Sequence, residues 1–167
     1  MKLAIIYDSK TGNTAQCGQW IAEGAAKVES VEAKCFAIES VDEDFVREAG
    51  GVILGSPSYY ALMTANLRTW LLEKGGKLNL AGKLGGAYAT EQYTHGGGDL
   101  VIQSILTNEM ALGMLCYSSG GAFGHPVIHL GPVGVNHNKE KVCLEDFKDY
   151  FTIYGERFAA KAKEISK

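Results

Sequence analysis

Two patterns of apolar and polar positions alternate along the 167-residue chain. Leu3-Ala4-Ile5-Ile6-Tyr7 is a continuous apolar run, the pattern of a strand buried on both faces of a parallel sheet. Thr14, Cys17, Ile21, Gly24, Ala25 and Val28 follow at helical spacing. Val31 to Ile38 predicts a second strand, and Asp42 to Ala49 a short acidic helix. Gly51 to Gly55 predicts a third buried strand; Met63, Leu67, Trp70 and Leu71 mark a helix closed by Gly75-Gly76. Leu84 to Thr90 reads as a fourth strand, Leu100 to Leu112 as a fourth helix and Met114 to Ser118 as a fifth strand. A long loop then runs to about Asn138, and Phe147, Phe151, Tyr154, Phe158, Ala162 and Ile165 mark a final helix by their spacing.

Strands alternating with helices predict an α/β protein, a doubly wound parallel sheet with helices on both faces. With no internal repeat, linker or composition shift, one domain is expected over residues 1–167. In such sheets ligands bind beyond the carboxyl ends of the strands. That rule nominates the loops after strands one, three and four, and more weakly the loop after strand five.

Composition sharpens this picture. Hydrophobic residues at 46% and charged residues at 21% are ordinary for a globular chain. The 21 glycines exceed the roughly 12 expected at average usage. Gly12, Gly55, Gly96, Gly97, Gly98, Gly120, Gly121 and Gly124 fall at or beyond predicted strand ends, where backbone can approach a ligand. A net charge of −3 offers no basic patch for nucleic acid. The first apolar run is too short for a signal-peptide core, and residues 110–138, though uncharged, are too broken to span a membrane. Cys17, Cys35, Cys116 and Cys143 are scattered without a CxxC pair and read as small apolar residues in a reducing compartment. A cytoplasmic protein without membrane insertion is expected. His125, His129 and His137 have no metal-site spacing, so no metal is expected.

The first nominated loop is Ser9-Lys10-Thr11-Gly12-Asn13-Thr14. Three hydroxyls meet there at a helix N-terminus, the chemistry that receives a phosphate. A plain helix cap would use the same residue types. Neither a Walker loop nor the G-x-G-x-x-G fingerprint is present. Strand three ends on Gly55-Ser56 rather than an acid, which disfavours a phospho-accepting receiver domain.

Ser-x-Thr-Gly-Asn-Thr after a first strand resembles the FMN phosphate loop of the flavodoxin family. The stretch Gly55-Ser56-Pro57-Ser58-Tyr59-Tyr60, running into Met63 and the helix with Leu67-Arg68, resembles the flavin loop of the WrbA-type NAD(P)H:quinone oxidoreductases. Gly96-Gly97-Gly98 resembles the same branch's third, glycine-rich loop. The resemblance covers nearly the whole chain. It implies a three-layer flavodoxin-like fold with five strands ordered 2-1-3-4-5. It also implies roles: Ser9, Lys10, Thr11, Gly12, Asn13 and Thr14 on the FMN phosphate, with Lys10 acting through its backbone. Pro57, Ser58, Tyr59, Tyr60 and Ala61 would wrap the flavin ring. Thr90 and Glu91 would approach its ribityl and pyrimidine side, with Tyr93 on the ring and Gly97 in the third loop.

Two features depart from the WrbA pattern. The segment from Gly82 to the triple glycine is two residues longer, and Ala111 and Leu112 stand where those proteins carry a His pair. The first expectation is an FMN oxidoreductase passing electrons from NADH or NADPH to a quinone or similar small acceptor, without an acid/base side chain and possible as a homodimer or homotetramer. The alternative is a flavodoxin carrying single electrons between protein partners. The uncharged stretches 55–67 and 110–138 suit a neutral substrate, whereas Tyr93 suits the carrier.

Overall fold

The computed structural model describes residues 1–166. The strands are β1 (Lys2–Tyr7), β2 (Glu32–Ala37), β3 (Ala49–Pro57), β4 (Leu84–Glu91), β5 (Leu115–Cys116) and β6 (Val133–Val135). The helices are α1 (Asn13–Ala25), α2 (Glu43–Glu48), α3 (Ala65–Lys74), α4 (Gly98–Ala111) and α5 (Lys148–Ile165). The sheet is parallel with the order β2-β1-β3-β4-β5, and β6 also pairs with β4. No helix among the described residues is long and apolar enough to cross a membrane.

Side chains of β1 alternate between two cores, as strand geometry requires. Ala4 and Ile6 join Leu67, Leu71, Ile102 and Ile105 on the face covered by α2, α3 and α4. Leu3 and Ile5 join Ile21, Tyr88, Phe151 and Phe158 on the face covered by α1 and α5. These last two helices touch backbone to backbone. A Cβ at Gly24 would lie 1.8 Å from the Thr152 carbonyl oxygen, and one at Gly155 would lie 2.0 Å from that of Ile21. Part of the glycine surplus therefore serves helix packing rather than the ligand edge. Gly55 likewise makes room for the Tyr88 ring, 2.0 Å from where its Cβ would be.

The fifth strand position differs from the reading of sequence. Only Leu115 and Cys116 of the expected Met114–Ser118 strand pair with β4, opposite Leu84 and Gly85. Val133–Val135, expected to be loop, pairs instead with Ala89, Thr90 and Glu91 at the other end of β4. Three residues are too few to show a period, and their partner lies about forty residues away in sequence. The segment between β5 and β6 leaves the sheet and is tied to α5 by Arg157. Its guanidinium donates to Ser119 Oγ at 3.0 Å and to the carbonyls of Pro126, Phe123 and His125 at 3.1, 3.0 and 3.3 Å.

The cysteines also divide. Cys17 is buried and Cys35 half-buried, as expected of small apolar residues, but Cys116 and Cys143 are exposed. Burial pushes the Cys35 thiol up to about 12, so it stays neutral.

Candidate functional site

Tyr7, Gly55 and Tyr88 lie in register on β1, β3 and β4, so the loops after these strands open on one sheet edge. Gly12 closes the first loop at φ +90°, a left-handed backbone that glycine enters without strain. It caps α1 without a side chain, and Ser9 Oγ accepts the Ala15 N–H at 3.3 Å. No acidic residue occupies the first turn of α1, which leaves the positive end of the helix dipole available to an anion. Thr14 is buried beneath this loop. Its hydroxyl meets that of Thr90 at 2.8 Å, and its carbonyl accepts from the Tyr88 phenol at 3.0 Å. Burial raises Tyr88 well above the usual phenol range and keeps it a donor.

The second loop is a tight hairpin. Tyr59 and Leu62 exchange backbone hydrogen bonds of 3.1 and 3.2 Å across Tyr60 and Ala61. Both tip residues have positive φ, 52° and 62°, the geometry of a primed turn that ordinarily selects Asn-Gly. Holding non-glycine residues there costs about 1–3 kcal/mol each, and such strain gathers at ligand-binding segments. Tyr60 is fully exposed and Tyr59 nearly half exposed.

The third loop is fastened to the second. Ser58 N–H donates to the Thr90 carbonyl at 2.7 Å, and Ser58 Oγ to the Gly96 carbonyl at 2.6 Å. Gly97, at φ +85°, sits so close that a Cβ there would lie 2.5 Å from Ala61 Cβ. Glu91 turns its carboxylate to the start of α4, where Oε2 accepts the Gly98 N–H at 2.6 Å.

Together the loops enclose a groove of about 810 Å³. Of the residues nominated from sequence, Lys10, Thr11, Asn13 and Thr14 line it from the first loop. Pro57, Ser58, Tyr59 and Tyr60 line it from the second, and Thr90, Glu91 and Tyr93 from the third. Ser9, Ala61 and Gly97 do not line it and shape the loops instead, and Gly12 is exposed at the turn of the first loop. Gly96, expected at the ligand edge, also lines the groove, as do Gln92 and Asn136, which were not nominated. Asn136 follows β6, and its Nδ2 donates to Asn13 Oδ1 at 3.2 Å. Nothing local marks it, because its place depends on a strand that the sequence pattern does not reveal. Among the described residues no group of three or more His, Cys, Asp or Glu could hold a metal ion.

The groove at this strand edge, with a helix N-terminus at one end and tyrosines from two loops, belongs to a doubly wound α/β protein. No family model matches the chain. A flavodoxin from Clostridium saccharobutylicum is 40% identical over 165 residues, covering 99% of each chain. An NAD(P)H dehydrogenase (quinone) from Methanosarcina barkeri is 29% identical over 69% of this chain and 70% of its own. The solved structure of a flavodoxin, WrbA-like protein from Agrobacterium tumefaciens superposes with a TM-score of 0.75 at 18% identity, over 98% of both chains. The chain belongs to the flavodoxin family of FMN flavoproteins.

Proposed function

We propose that the groove binds FMN and that the protein works as an electron carrier between protein partners. The residues present fit the cofactor: a helix N-terminus without acidic residues in its first turn, with Thr11 and Asn13 for the phosphate, and tyrosines for the ring. Bound FMN supplies the redox chemistry. The chain's own residues bind and orient it. Thr11, Asn13 and the backbone at Gly12 would hold the phosphate, with Lys10 lining the groove beside them. Tyr59 and Tyr60 offer stacking area worth on the order of 1 kcal/mol beyond burial. The Ser58 hydrogen bonds to Thr90 and Gly96 hold the two ring-binding loops at a fixed separation.

The observation that carries the carrier reading is that tyrosines of two separate loops line one groove. A ring stacked by both has neither face free for a nicotinamide to deliver hydride. The full-length similarity to a flavodoxin supports the same reading. A second reading, an NAD(P)H-dependent quinone reductase, is favoured by the uncharged stretch from residue 55 to 67. Similarity to the quinone dehydrogenase over part of the chain points the same way.

The test begins with colour. Purified protein is expected to be yellow, absorbing near ~450 nm, or to become so with added FMN; protein that stays colourless and leaves added FMN free would end both readings. The yellow protein is then mixed anaerobically with NADH or NADPH, with and without a benzoquinone. The carrier is bleached by dithionite but not by either nicotinamide. Rapid bleaching by a nicotinamide, with turnover on adding the quinone, would replace the carrier by the reductase.

A further inference from the structure

His137 is the least explained side chain near the groove. Its backbone is fixed by reciprocal hydrogen bonds with Val142, 2.9 and 3.3 Å long. Its ring packs against Tyr93 with centroids 4.8 Å apart and planes inclined by 57°. Its Nδ1 is buried and has no hydrogen-bond partner among the described residues. Glu140 Oε1 lies 3.9 Å from it, beyond hydrogen-bond reach. The other oxygen of that carboxylate is occupied: Glu140 Oε2 accepts the Thr94 N–H at 3.1 Å and the Thr94 hydroxyl at 2.7 Å. Tyr93 and Thr94 are thus gripped from one side by His137 and Glu140.

We propose that His137 is a positioning residue for the third flavin loop: it backs Tyr93, and its protonation tightens FMN binding by giving Glu140 a second anchor. The proposal rests on the FMN reading above. A protonated imidazole carries a proton on both nitrogens, so Nδ1 becomes a donor beside a carboxylate roughly 1 Å beyond hydrogen-bond distance. Closing that gap draws residue 140 toward 137 while Glu140 keeps its hold on Thr94, and the loop that carries Tyr93 loses freedom before the ligand arrives. Preorganisation of that kind appears as affinity. The Thr94 hydrogen bonds hold Glu140 below the usual carboxylate range, so it stays an acceptor through the range where histidine changes charge. The groups facing this pair are Tyr93 and His95 from the third loop, with Lys139 beside them; Gln92 and Asn136 are neutral. His95 is therefore the other neighbouring histidine that the test must separate from His137.

The test has two arms. In the apoprotein, NMR follows the His137 ring and the Tyr93 ring from pH 5.5 to 8. The Tyr93 signals are expected to move with the His137 titration, in wild type and in His95→Gln alike. In the second arm, FMN affinity is measured by fluorescence quenching over the same range for wild type, His137→Leu and His137→Gln. Titration of the FMN phosphate affects all three equally. Wild type should gain roughly three- to tenfold in affinity toward acid relative to the two variants, the scale of a charged hydrogen bond partly transmitted to the ligand. A Tyr93 resonance indifferent to His137, or a variant that keeps the wild-type profile, overturns the proposal. Failure of all three proteins to bind FMN would instead remove the flavin reading, and the apoprotein arm would still decide whether His137 and Tyr93 are coupled.

Discussion

Glu109 on α4 is a carboxyl with no exposed surface, and its Oε1 has no hydrogen-bond partner among the described residues. Burial raises it well above the usual carboxylate range, so it is held protonated. Its Oε2 lies 3.8 Å from Cys116 Sγ, and the absent side chain of Gly85 leaves it room. The folded protein keeps a proton that the unfolded chain releases above about pH 4.3. Stability from this group is therefore complete below that range and is lost as pH rises. Glu109→Gln should unfold at a higher temperature than wild type, and thermal melts should show the gap widening from pH 5 to 8. At Gly97, a methyl group would meet Ala61 as well as an unfavourable positive φ. Gly97→Ala should cost about 1–3 kcal/mol and weaken FMN binding measurably by fluorescence. Adding Ala61→Gly should restore only part of either, because the Cα of residue 61 still lies 2.8 Å from the new methyl and the positive φ at residue 97 remains.

Among the elements, the α1–α5 crossing depends most on single residues. Gly24 and Gly155 let each helix rest on the other's carbonyls. Gly155→Ala has no flexible neighbour to displace, so a loss of roughly 3 kcal/mol or more is expected in urea titrations. The segment between β5 and β6 has a different anchor. Arg157 supplies four hydrogen bonds to it, three to backbone carbonyls. Arg157→Ala should speed hydrogen exchange across residues 119–126 while leaving β1 and β3 protected, because the loss is local.

At the scale of the whole molecule, the groove draws on β1, β3, β4, β6 and their loops, so an occupant links parts distant in sequence. A ligand that binds only the folded state stabilises it by about 2.7 kcal/mol at a hundred times its dissociation constant. FMN should raise the melting temperature accordingly, whereas riboflavin, which lacks the phosphate, should raise it less. Equal shifts from the two would show that the first loop does not hold a phosphate.

Much of this was legible in the chain itself. Buried strands reveal themselves by continuous apolar runs, and the first loop by hydroxyls ahead of a helix, because those signals are local. The turn at Tyr60-Ala61 carried no such signal, since neither residue announces a positive φ. Nor did the glycines distinguish ligand edge from helix contact: that Gly24 and Gly155 face a neighbouring helix, while Gly97 turns at positive φ against Ala61, is visible only in the folded chain. The sequence alone determined the α/β alternation, the strand edge that carries the site and most of the side chains lining it. Tertiary structure decided the split of the fifth strand into β5 and β6, the arrival of Asn136 at the groove and the backing of Tyr93 by His137. Each of these is a contact between residues about forty or more positions apart, whose pairing is set by the assembled sheet rather than by any neighbour along the chain.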